Sequence, residues 1–247
     1  MGRYIFIFWQ FNLFMLKLIY SSLLGYYGHQ GWWPFYSLKA RQGFDTKGYH
    51  KGQYSIQGYE FEVIVGAILT QNTSWKNVEK ALENLFVNDC LTPDSIMNCN
   101  NLTNLVRPSG YYNQKAERLK TVAKWYLKNK LFISKMSMNQ LRNRLLELKG
   151  IGPETADSIL LYAFQRPSFV VDAYTLRLLD RLGYKDLDYN SAQSLVHHNF
   201  KNVKNVSKMF NELHALIVEH CKVYCTNKPL CKGCPLLKQC KYVGVEL

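Results

Sequence analysis

The sequence LKGIGPETA, residues 148–156, carries the features that decide the fold. Gly150 and Gly152 permit backbone angles that a side chain would forbid, so the chain can reverse tightly and expose the amides around Ile151. Pro153 suits the first position of a helix, where an N–H would have no intrahelical partner. The stretch therefore predicts two helices joined by a tight turn, with a helix N-terminus suited to a phosphate oxygen. An ordinary connector between packed helices is the alternative interpretation.

The charge of the chain favours a polyanionic partner. Among its 247 residues are 31 Lys and Arg against 18 Asp and Glu, which gives a formal net charge of +13, and 47% of the residues are hydrophobic. This hydrophobic content is sufficient for packed cores and argues against a disordered chain. The excess positive charge indicates a surface that attracts nucleic acid, with a membrane surface as the competing polyanion.

The apolar N-terminal stretch, residues 1–20, bears on the membrane alternative. Gln10, Asn12 and Lys17 interrupt it before the roughly 20 apolar residues that a spanning helix needs, and no small-residue cleavage site follows it. The stretch therefore predicts a core helix and no association with a membrane. Met15 is a possible alternative start, because an amphipathic pattern begins there.

The rest of the chain has the spacing of apolar residues that is typical of helices. Segments such as FEVIVGAILTQ, WKNVEKALENLF and NVSKMFNELHALIVEH repeat this pattern, and no alternating strand pattern is present. The sequence therefore predicts an all-α fold of about ten helices. Residues 37–58 are rich in Gly, Lys and Gln, which predicts a surface loop or insertion.

A single carboxylate follows the glycine turn, in the segment FVVDAYTLRLLDRLG. Asp172 precedes a helical pattern, and an N-cap is the usual role of such a residue. One helix, ETADSILLYAF, links it to the turn, so Asp172 could also act on a sugar whose backbone the turn holds. A carboxylate at such a place stabilises an oxocarbenium-like sugar and orients or deprotonates water.

Five of the seven cysteines lie near the end of the chain, and four of them have the spacing C-x5-C-x2-C-x5-C. These four are Cys225, Cys231, Cys234 and Cys240. Disulfides, a zinc ion and a 4Fe-4S cluster are the three interpretations of this spacing. The compact loop favours the 4Fe-4S cluster, and Cys221 is a spare thiol. Cys90 and Cys99 are isolated in the sequence and are interpreted as ordinary thiols.

The chain resembles the endonuclease III superfamily of helix-hairpin-helix DNA glycosylases in three features taken together, namely LKGIG, the downstream VVD and the four-cysteine loop. The resemblance extends from about Met15 to Cys240. It implies two helical domains with a DNA cleft between them. A six-helix barrel with the hairpin would span residues 58–168, and a terminal domain with the cluster loop would comprise residues 1–57 and 169–247. It further implies a monomer that binds double-stranded DNA containing a damaged base, in the cytoplasm and associated with the nucleoid.

The resemblance also assigns roles to residues. Asp172 becomes the catalytic carboxylate, and the four cysteines of the terminal loop become the ligands of a 4Fe-4S cluster. Gln71, in ILTQNT, matches the residue that fills the gap left by a flipped base. The residues expected to contact DNA are Gly150, Ile151, Gly152, Gln71, Lys149 and Thr155. The first cysteine gap departs from the family, because it has five residues where six are usual.

A second departure concerns the mechanism. Bifunctional members of the family have a lysine two residues after the second hairpin glycine, where this chain has Glu154. Because a carboxylate cannot form a Schiff base, the sequence predicts a monofunctional enzyme that leaves an abasic site. Lys149 is the nearby amine that could act as a substitute, and an endonuclease III-like enzyme with lyase activity is the corresponding alternative.

The segment GWWP and the Glu at the lysine position resemble the subgroup called 3-methyladenine DNA glycosylase III, as do ILTQNT and VRPSGYYNQKAERL. That subgroup lacks the cluster loop. The resemblance implies that a wall of the base pocket is formed in this chain by Trp32, Trp33 and Pro34. Stacking on Trp favours a cationic, alkylated purine by about 0.5–2 kcal/mol. The alternatives are a glycosylase for uracil, mismatched thymine or hypoxanthine, and a non-catalytic DNA-binding protein. Tyr111 and Tyr112, at a helix start, are interpreted as packing residues.

Overall fold

A computed structural model describes the backbone of residues 2–42 and 58–242 and the side chains of residues 15–41 and 58–242. Within these ranges the fold is all-helical, without a strand, as the sequence predicts. The helices are α1 (Gly2–Tyr27), α2 (Tyr36–Gln42), α3 (Glu60–Leu69), α4 (Trp75–Val87), α5 (Pro93–Asn98), α6 (Leu102–Leu105), α7 (Tyr112–Asn129), α8 (Met138–Leu146), α9 (Pro153–Ser158), α10 (Ala173–Arg181), α11 (Tyr189–Phe200) and α12 (Val206–Val223). Helix α9 continues as a π-helical turn, Ile159–Ala163.

The chain divides into two compact units. The first comprises Met1–Gly31 and Phe169–Leu247, and the second comprises Trp32–Ser168. The first unit is discontinuous in sequence because α1 packs with α11 and α12 from the other end of the chain.

Helix α1 contributes to the core of the first unit. Leu16, Ile19 and Leu23 are spaced to lie on one helical face, and each is at most 3% exposed, whereas Lys17 is exposed. This burial confirms the expectation of a core helix. Within the described ranges, no helix combines the length and apolar character needed to cross a membrane.

The second unit is built around α3, whose residues Phe61–Leu69 are all buried. The buried carboxylate of Asp157 on α9 accepts two hydrogen bonds from Arg142 on α8, at 2.8 and 2.9 Å, and one from the Ser168 hydroxyl at 2.6 Å. Charged, bidentate hydrogen bonds of this kind are strong and directional. They therefore fix α8 against α9, the two helices on either side of the glycine turn.

The boundary between the units differs from the sequence-based one. The structure assigns residues 32–42 to the second unit, and residues 36–42 form α2, although the predicted loop began at residue 37. The cause is Glu62 on α3. Its carboxylate accepts hydrogen bonds from the backbone N–H groups of Tyr36 and Ser37, at 2.6 and 3.1 Å, and from the Ser37 hydroxyl. A buried anion thus caps the start of α2. The rest of the predicted loop, residues 43–57, lies outside the described residues.

Candidate functional site

The glycine turn has the predicted helix-turn-helix form. Gly150 has a φ of +84°, a conformation that L side chains rarely adopt, and Gly152 precedes Pro153, the first residue of α9. Ile151 is buried, but its N–H donates to the Leu148 carbonyl at 3.0 Å, so this amide is not available to a ligand as the sequence had suggested. Among the described residues, no backbone carbonyl accepts from the Gly152 amide. Of these two amides, the Gly152 N–H is therefore the one that a ligand could reach.

Gln71 is held against the turn. Its side-chain Nε2 donates to the Gly150 carbonyl at 3.0 Å and to the Thr155 hydroxyl at 2.9 Å. Its Oε1 in turn accepts a hydrogen bond from Arg118 on α7. The structure thus brings Gln71, Gly150 and Thr155 together, and this network rigidifies the turn. Lys149 is exposed beside it.

The loop before α7 presents an aromatic ring that the sequence analysis had interpreted as a packing residue. Tyr111 is 65% exposed and has a φ of +46°, directly after Gly110. The interpretation was wrong for this residue because the left-handed backbone turns the side chain away from the core. Tyr112, in contrast, is half-buried with the Arg107 guanidinium over its ring. The hydroxyl of Thr73 donates to the Ser109 carbonyl and ties this loop to the one that carries Gln71.

The buried side chain of Lys115 contacts the same two loops. It is 1% exposed, and its ammonium group donates to the carbonyls of Leu69 and Ser109, at 2.8 and 2.6 Å, and to the Thr73 hydroxyl at 3.3 Å. Burial, followed by the nearby positive charge of Arg118, lowers the pKa of Lys115 to about 8. The charge satisfies the Leu69 carbonyl at the end of α3 and the Ser109 carbonyl before α7, and so stabilises both loops.

In the first unit, Asp172 caps α10 as predicted. Its Oδ1 accepts from the Thr175 N–H at 2.7 Å, and its side chain is 15% exposed. The extended residues that deliver it, Phe169 to Val171, are at most 1% exposed. The carboxylate is thus fixed at the end of a rigid buried segment and keeps a small accessible surface.

His214 on α12 is a neighbour of Asp172 that sequence reasoning missed. Its Nε2 lies 3.6 Å from Asp172 Oδ2. Burial raises the pKa of Asp172, but His214 and the N–H and hydroxyl of Thr175 outweigh it, so the net pKa is lowered. Asp172 is therefore ionised at neutral pH. No local sequence pattern signals this contact, because His214 comes from a distant helix.

The extended segment is anchored from α11. The Phe169 N–H donates to His197 Nε2 at 3.1 Å, and Gln193 Nε2 donates to the Phe169 carbonyl at 2.7 Å. The Phe169 ring also packs edge-on against His214, with a centroid distance of 6.2 Å. These contacts fix the start of the segment that positions Asp172.

An aromatic cluster surrounds the GWWP segment in the second unit. Trp33 packs against Tyr162 and Trp75, with centroid distances of 5.0 and 5.4 Å, and Trp32 lies 6.2 Å from Tyr162. Trp33 is 7% exposed and Pro34 is buried, whereas Trp32 is half-buried. Gly66 makes room for Trp33, because an added Cβ would lie 2.9 Å from its indole nitrogen. Trp32 and Trp75 are thus the half-buried rings of the cluster, whereas Trp33 and Tyr162 are buried.

The four cysteines of the terminal loop line one recess in the first unit, which has an empty volume of about 340 Å³ including its opening to solvent. Arg181 on α10 contacts the loop by donating to Cys225 Sγ at 3.1 Å and to the Thr226 carbonyl at 2.7 Å. His220 Nε2 lies 3.7 Å from Cys234 Sγ, and burial lowers the pKa of His220 to about 4.

The donor set suits a thiolate-bound cluster chemically, and the surroundings support this. A hydrogen bond with Cys221 lowers the pKa of Cys225, and Arg181 and Arg177 lower it further by smaller amounts. A lowered pKa favours the thiolate that a metal requires. However, no three His, Cys, Asp or Glu side chains in the described ranges are arranged so that they could hold a metal ion. The four thiols thus share a recess without forming a ligating geometry.

Comparison with known proteins identifies the family. The profile of the HhH-GPD superfamily of base excision DNA repair proteins matches residues 65–204 of this chain, more than half of its length. The chain belongs to the HhH-GPD superfamily.

Individual members of the HhH-GPD superfamily are similar along most of the chain. A protein of Methanocaldococcus jannaschii, provisionally named a DNA repair glycosylase, is 44% identical over 235 residues, which cover 92% of this chain and 96% of the relative. Endonuclease III of Sulfolobus acidocaldarius is 31% identical over 189 residues, covering 74% of this chain and 82% of the relative. This chain is accordingly a DNA repair glycosylase of the HhH-GPD superfamily.

Solved HhH-GPD structures share the helical two-domain fold. The 3-methyladenine DNA glycosylase of H. pylori, bound to 1,N6-ethenoadenine, has a TM-score of 0.67 and 30% identity, covering 85% of this chain and 97% of the other. A thermostable thymine-DNA glycosylase has a TM-score of 0.68, covering 92% and 96% of the two chains, but its 21% identity supports the fold alone. The resemblance inferred from the sequence motifs is thus confirmed at the level of family and fold.

Proposed function

We propose that this HhH-GPD protein is a monofunctional DNA glycosylase that flips an alkylated purine such as 3-methyladenine out of the duplex and hydrolyses its N-glycosidic bond. The observation that carries the monofunctional assignment is Glu154. This carboxylate occupies the first turn of α9, two residues after Gly152, where a lyase needs an amine. Without an amine at that position, water is the nucleophile and the product is an abasic site.

Lys115 and Lys149 lie near the hairpin, but both are poor substitutes for the missing amine. Lys115 has the lowered pKa of about 8 that a Schiff-base lysine requires. However, its amine is buried and donates to three protein oxygens, so a sugar cannot reach it without opening both loops. Lys149 is exposed, and nothing within the described contacts orients its side chain for attack.

We further propose that the base pocket selects a cationic purine through Trp32. N-alkylation places a positive charge on the purine ring, and the face of an indole attracts such a charge by about 0.5–2 kcal/mol. The packed ring of Trp33, supported by Trp75 and Tyr162, would hold the half-buried ring of Trp32 in place. The similarity to the 3-methyladenine DNA glycosylase of H. pylori supports the same substrate class.

In this mechanism Asp172 acts on the sugar. As the glycosidic bond breaks, the electrons of the bond leave with the base, and positive charge develops on the sugar ring. The ionised carboxylate stabilises this charge and accepts a proton from the attacking water. Thr175 holds Oδ1, so the acid cannot rotate away, and the positive charge on an alkylated purine makes the base a good leaving group without protonation.

The hairpin and the neighbouring loops would hold the DNA. The Gly152 amide would donate to a phosphate oxygen, and the surrounding positive charge would add affinity that does not depend on sequence. Gln71 and the exposed ring of Tyr111 lie on loops tied together by Thr73, and both would fill the space that a flipped base leaves. Lys149 and Thr155 would contribute to the same contact.

We also propose that the terminal cysteines bind a 4Fe-4S cluster, which when bound cross-links the loop through iron–thiolate bonds and has a structural role. The ligands are Cys225, Cys231, Cys234 and Cys240. Three exposed lysines interleave with them, namely Lys228, Lys232 and Lys238, and the folded loop would present these charges to phosphates. Purified protein should contain iron and sulfide, and it should have a broad visible absorption band at about 400 nm. Stoichiometric zinc without iron would contradict the assignment.

The working form of the enzyme would be a monomer in the cytoplasm, associated with the nucleoid. The net charge of +13 supports an association with DNA wherever the protein meets it. Sedimentation of the enzyme alone and with one duplex would test the proposed one-to-one complex.

A panel of duplexes tests the proposed function. Each duplex carries 3-methyladenine, hypoxanthine, uracil or a G·T mismatch, and each reaction is analysed for free base and for strand cuts with and without alkali. We expect release of 3-methyladenine and strand cuts only after alkali. Release of uracil or thymine alone would refute the proposed substrate class. Borohydride should trap no covalent complex, and efficient trapping would refute the monofunctional mechanism.

A further inference from the structure

Two cysteines that lie apart in the sequence meet in the second unit. The sulfur atoms of Cys90 and Cys99 are 2.8 Å apart. Cys90 follows the end of α4 and Cys99 follows the end of α5. Both are free thiols, as the sequence predicts, but they are not isolated in the fold because α5 returns the chain to the end of α4.

The backbone on both sides of the pair is fixed. The Cys90 N–H donates to the Leu85 carbonyl at 2.8 Å, and the Cys99 N–H donates to the Ile96 carbonyl at 3.4 Å. Between the cysteines, Thr92 and Ser95 form a capping box at the start of α5, and the Ile96 side chain is fully buried. Since neither thiol can move far, each is present at a high effective concentration for the other.

We propose that Cys90 and Cys99 form an intramolecular disulfide, a covalent modification site that does not depend on the proposed function. With oxidised glutathione as the oxidant, the half-buried Cys90 loses its proton and attacks one glutathione sulfur, which releases one glutathione thiol. Cys99, which is 8% exposed, then attacks the Cys90 sulfur of the mixed disulfide and releases the second glutathione thiol. Two protein thiols are oxidised, one glutathione disulfide is reduced, and both protons end on glutathione.

The same environment makes the exchange slow. Burial, followed by the hydrogen bond and charge of Cys99, raises the pKa of Cys90 to about 11. Little thiolate is present at neutral pH, so the bond should form over hours and resist reduction once formed. These properties are typical of a structural disulfide and differ from those of a fast redox sensor. The bond would tie the end of α4 to the end of α5 and restrict the unfolded chain.

The experiment uses the full chain, incubated with oxidised glutathione at mildly alkaline pH and then alkylated. A protease that cleaves on the amino side of aspartate separates Cys90 from Cys99 at Asp94. If the proposal is right, mass spectrometry finds these two peptides joined in oxidised protein and separate after reduction. Alkylation of both thiols in oxidised, folded protein would overturn it, as would Cys90 joined only to glutathione or to another cysteine.

A matched variant separates this bond from oxidation of the terminal cysteines. The midpoint of thermal unfolding should rise by roughly 5 °C on oxidation of the wild-type chain. In the double variant Cys90→Ser/Cys99→Ser the rise should be absent, while the terminal cysteines remain. An equal rise in the double variant would show that other cysteines cause it and would overturn the stabilising role of this bond.

Discussion

Substitution by alanine should affect different properties at the two glycines of the hairpin, namely stability at Gly150 and DNA affinity at Gly152. A Cβ at Gly150 would lie 2.2 Å from Nε and 2.8 Å from Cδ of Arg118, at a φ of +84°. A Cβ at Gly152 would meet nothing within 4 Å, at an ordinary φ of −90°. Gly150 is therefore required by the fold, whereas Gly152 faces open space that a phosphate would occupy.

The magnitudes follow from these contacts. Gly150→Ala adds about 1–2 kcal/mol of backbone strain, and the displaced Arg118 loses a charged hydrogen bond to Gln71 that contributes about 1.5 kcal/mol. We expect the free energy of unfolding to fall by about 2–4 kcal/mol. Gly152→Ala should change it by less than about 1 kcal/mol, because a lower chain entropy offsets a poorer N-cap. Its added methyl should instead weaken DNA binding by roughly tenfold, or about 1.4 kcal/mol.

Denaturant unfolding and fluorescence anisotropy with a labelled duplex at fixed salt measure the two quantities. Stable Gly152→Ala protein that binds DNA as tightly as the wild type would refute the contact between hairpin and phosphate. Equal loss of stability in both variants would refute the geometry assigned to the turn. The Gly150→Ala variant serves as the matched control for general loss of fold.

Three further changes test other parts of the site. His214→Gln should raise the pKa of Asp172, because one of the groups that lower this pKa against the effect of burial is then lost. The acid limb of the pH–rate profile should therefore move to higher pH. An unmoved limb would contradict the pairing of Asp172 with His214. Asp157→Ala removes the buried carboxylate that holds the half-buried Arg142 guanidinium and should cost about 3–5 kcal/mol in chemical unfolding, and a loss below about 1 kcal/mol would contradict this role. Gly66→Ala should cost about 1–3 kcal/mol through its clash with Trp33, and unchanged stability would count against that packing.

The sign of the pH effect follows from the lowered pKa of Asp172. A carboxylate with a pKa below its usual 3.8 stabilises the fold above that value, and this contribution is lost as the pH falls through the folded-state pKa. The wild-type enzyme should thus keep its ionised acid at mildly acidic pH. In the His214→Gln variant both activity and this stabilisation should be lost at a higher pH.

The parts of the site that the sequence predicts are those set by local chemistry. The turn follows from the conformational freedom of Gly150 and the fixed φ of Pro153, and the N-cap at Asp172 follows from a short acid before a helical pattern. Both depend on neighbours within a few residues. The all-helical class was predictable for the same reason, because the periodicity of apolar residues is a local property.

The parts that the sequence did not predict depend on contacts between distant residues. His214 reaches Asp172 from α12, and Cys90 meets Cys99 only because α5 reverses the chain. The helix α2 forms where a loop was expected, because Glu62 supplies a cap from another helix. None of these contacts leaves a pattern in the adjacent sequence.

The most direct test of the central claim is single-turnover release of free base by wild type and by Asp172→Asn on a duplex containing 3-methyladenine. The asparagine amide oxygen can still accept from the Thr175 N–H, so the cap and the fold should persist, and DNA binding should be kept. We expect release to slow by roughly 100-fold or more, since the charge that stabilises the sugar cation is gone. If the folded, DNA-bound variant released the base at the wild-type rate, the result would contradict the catalytic role of Asp172.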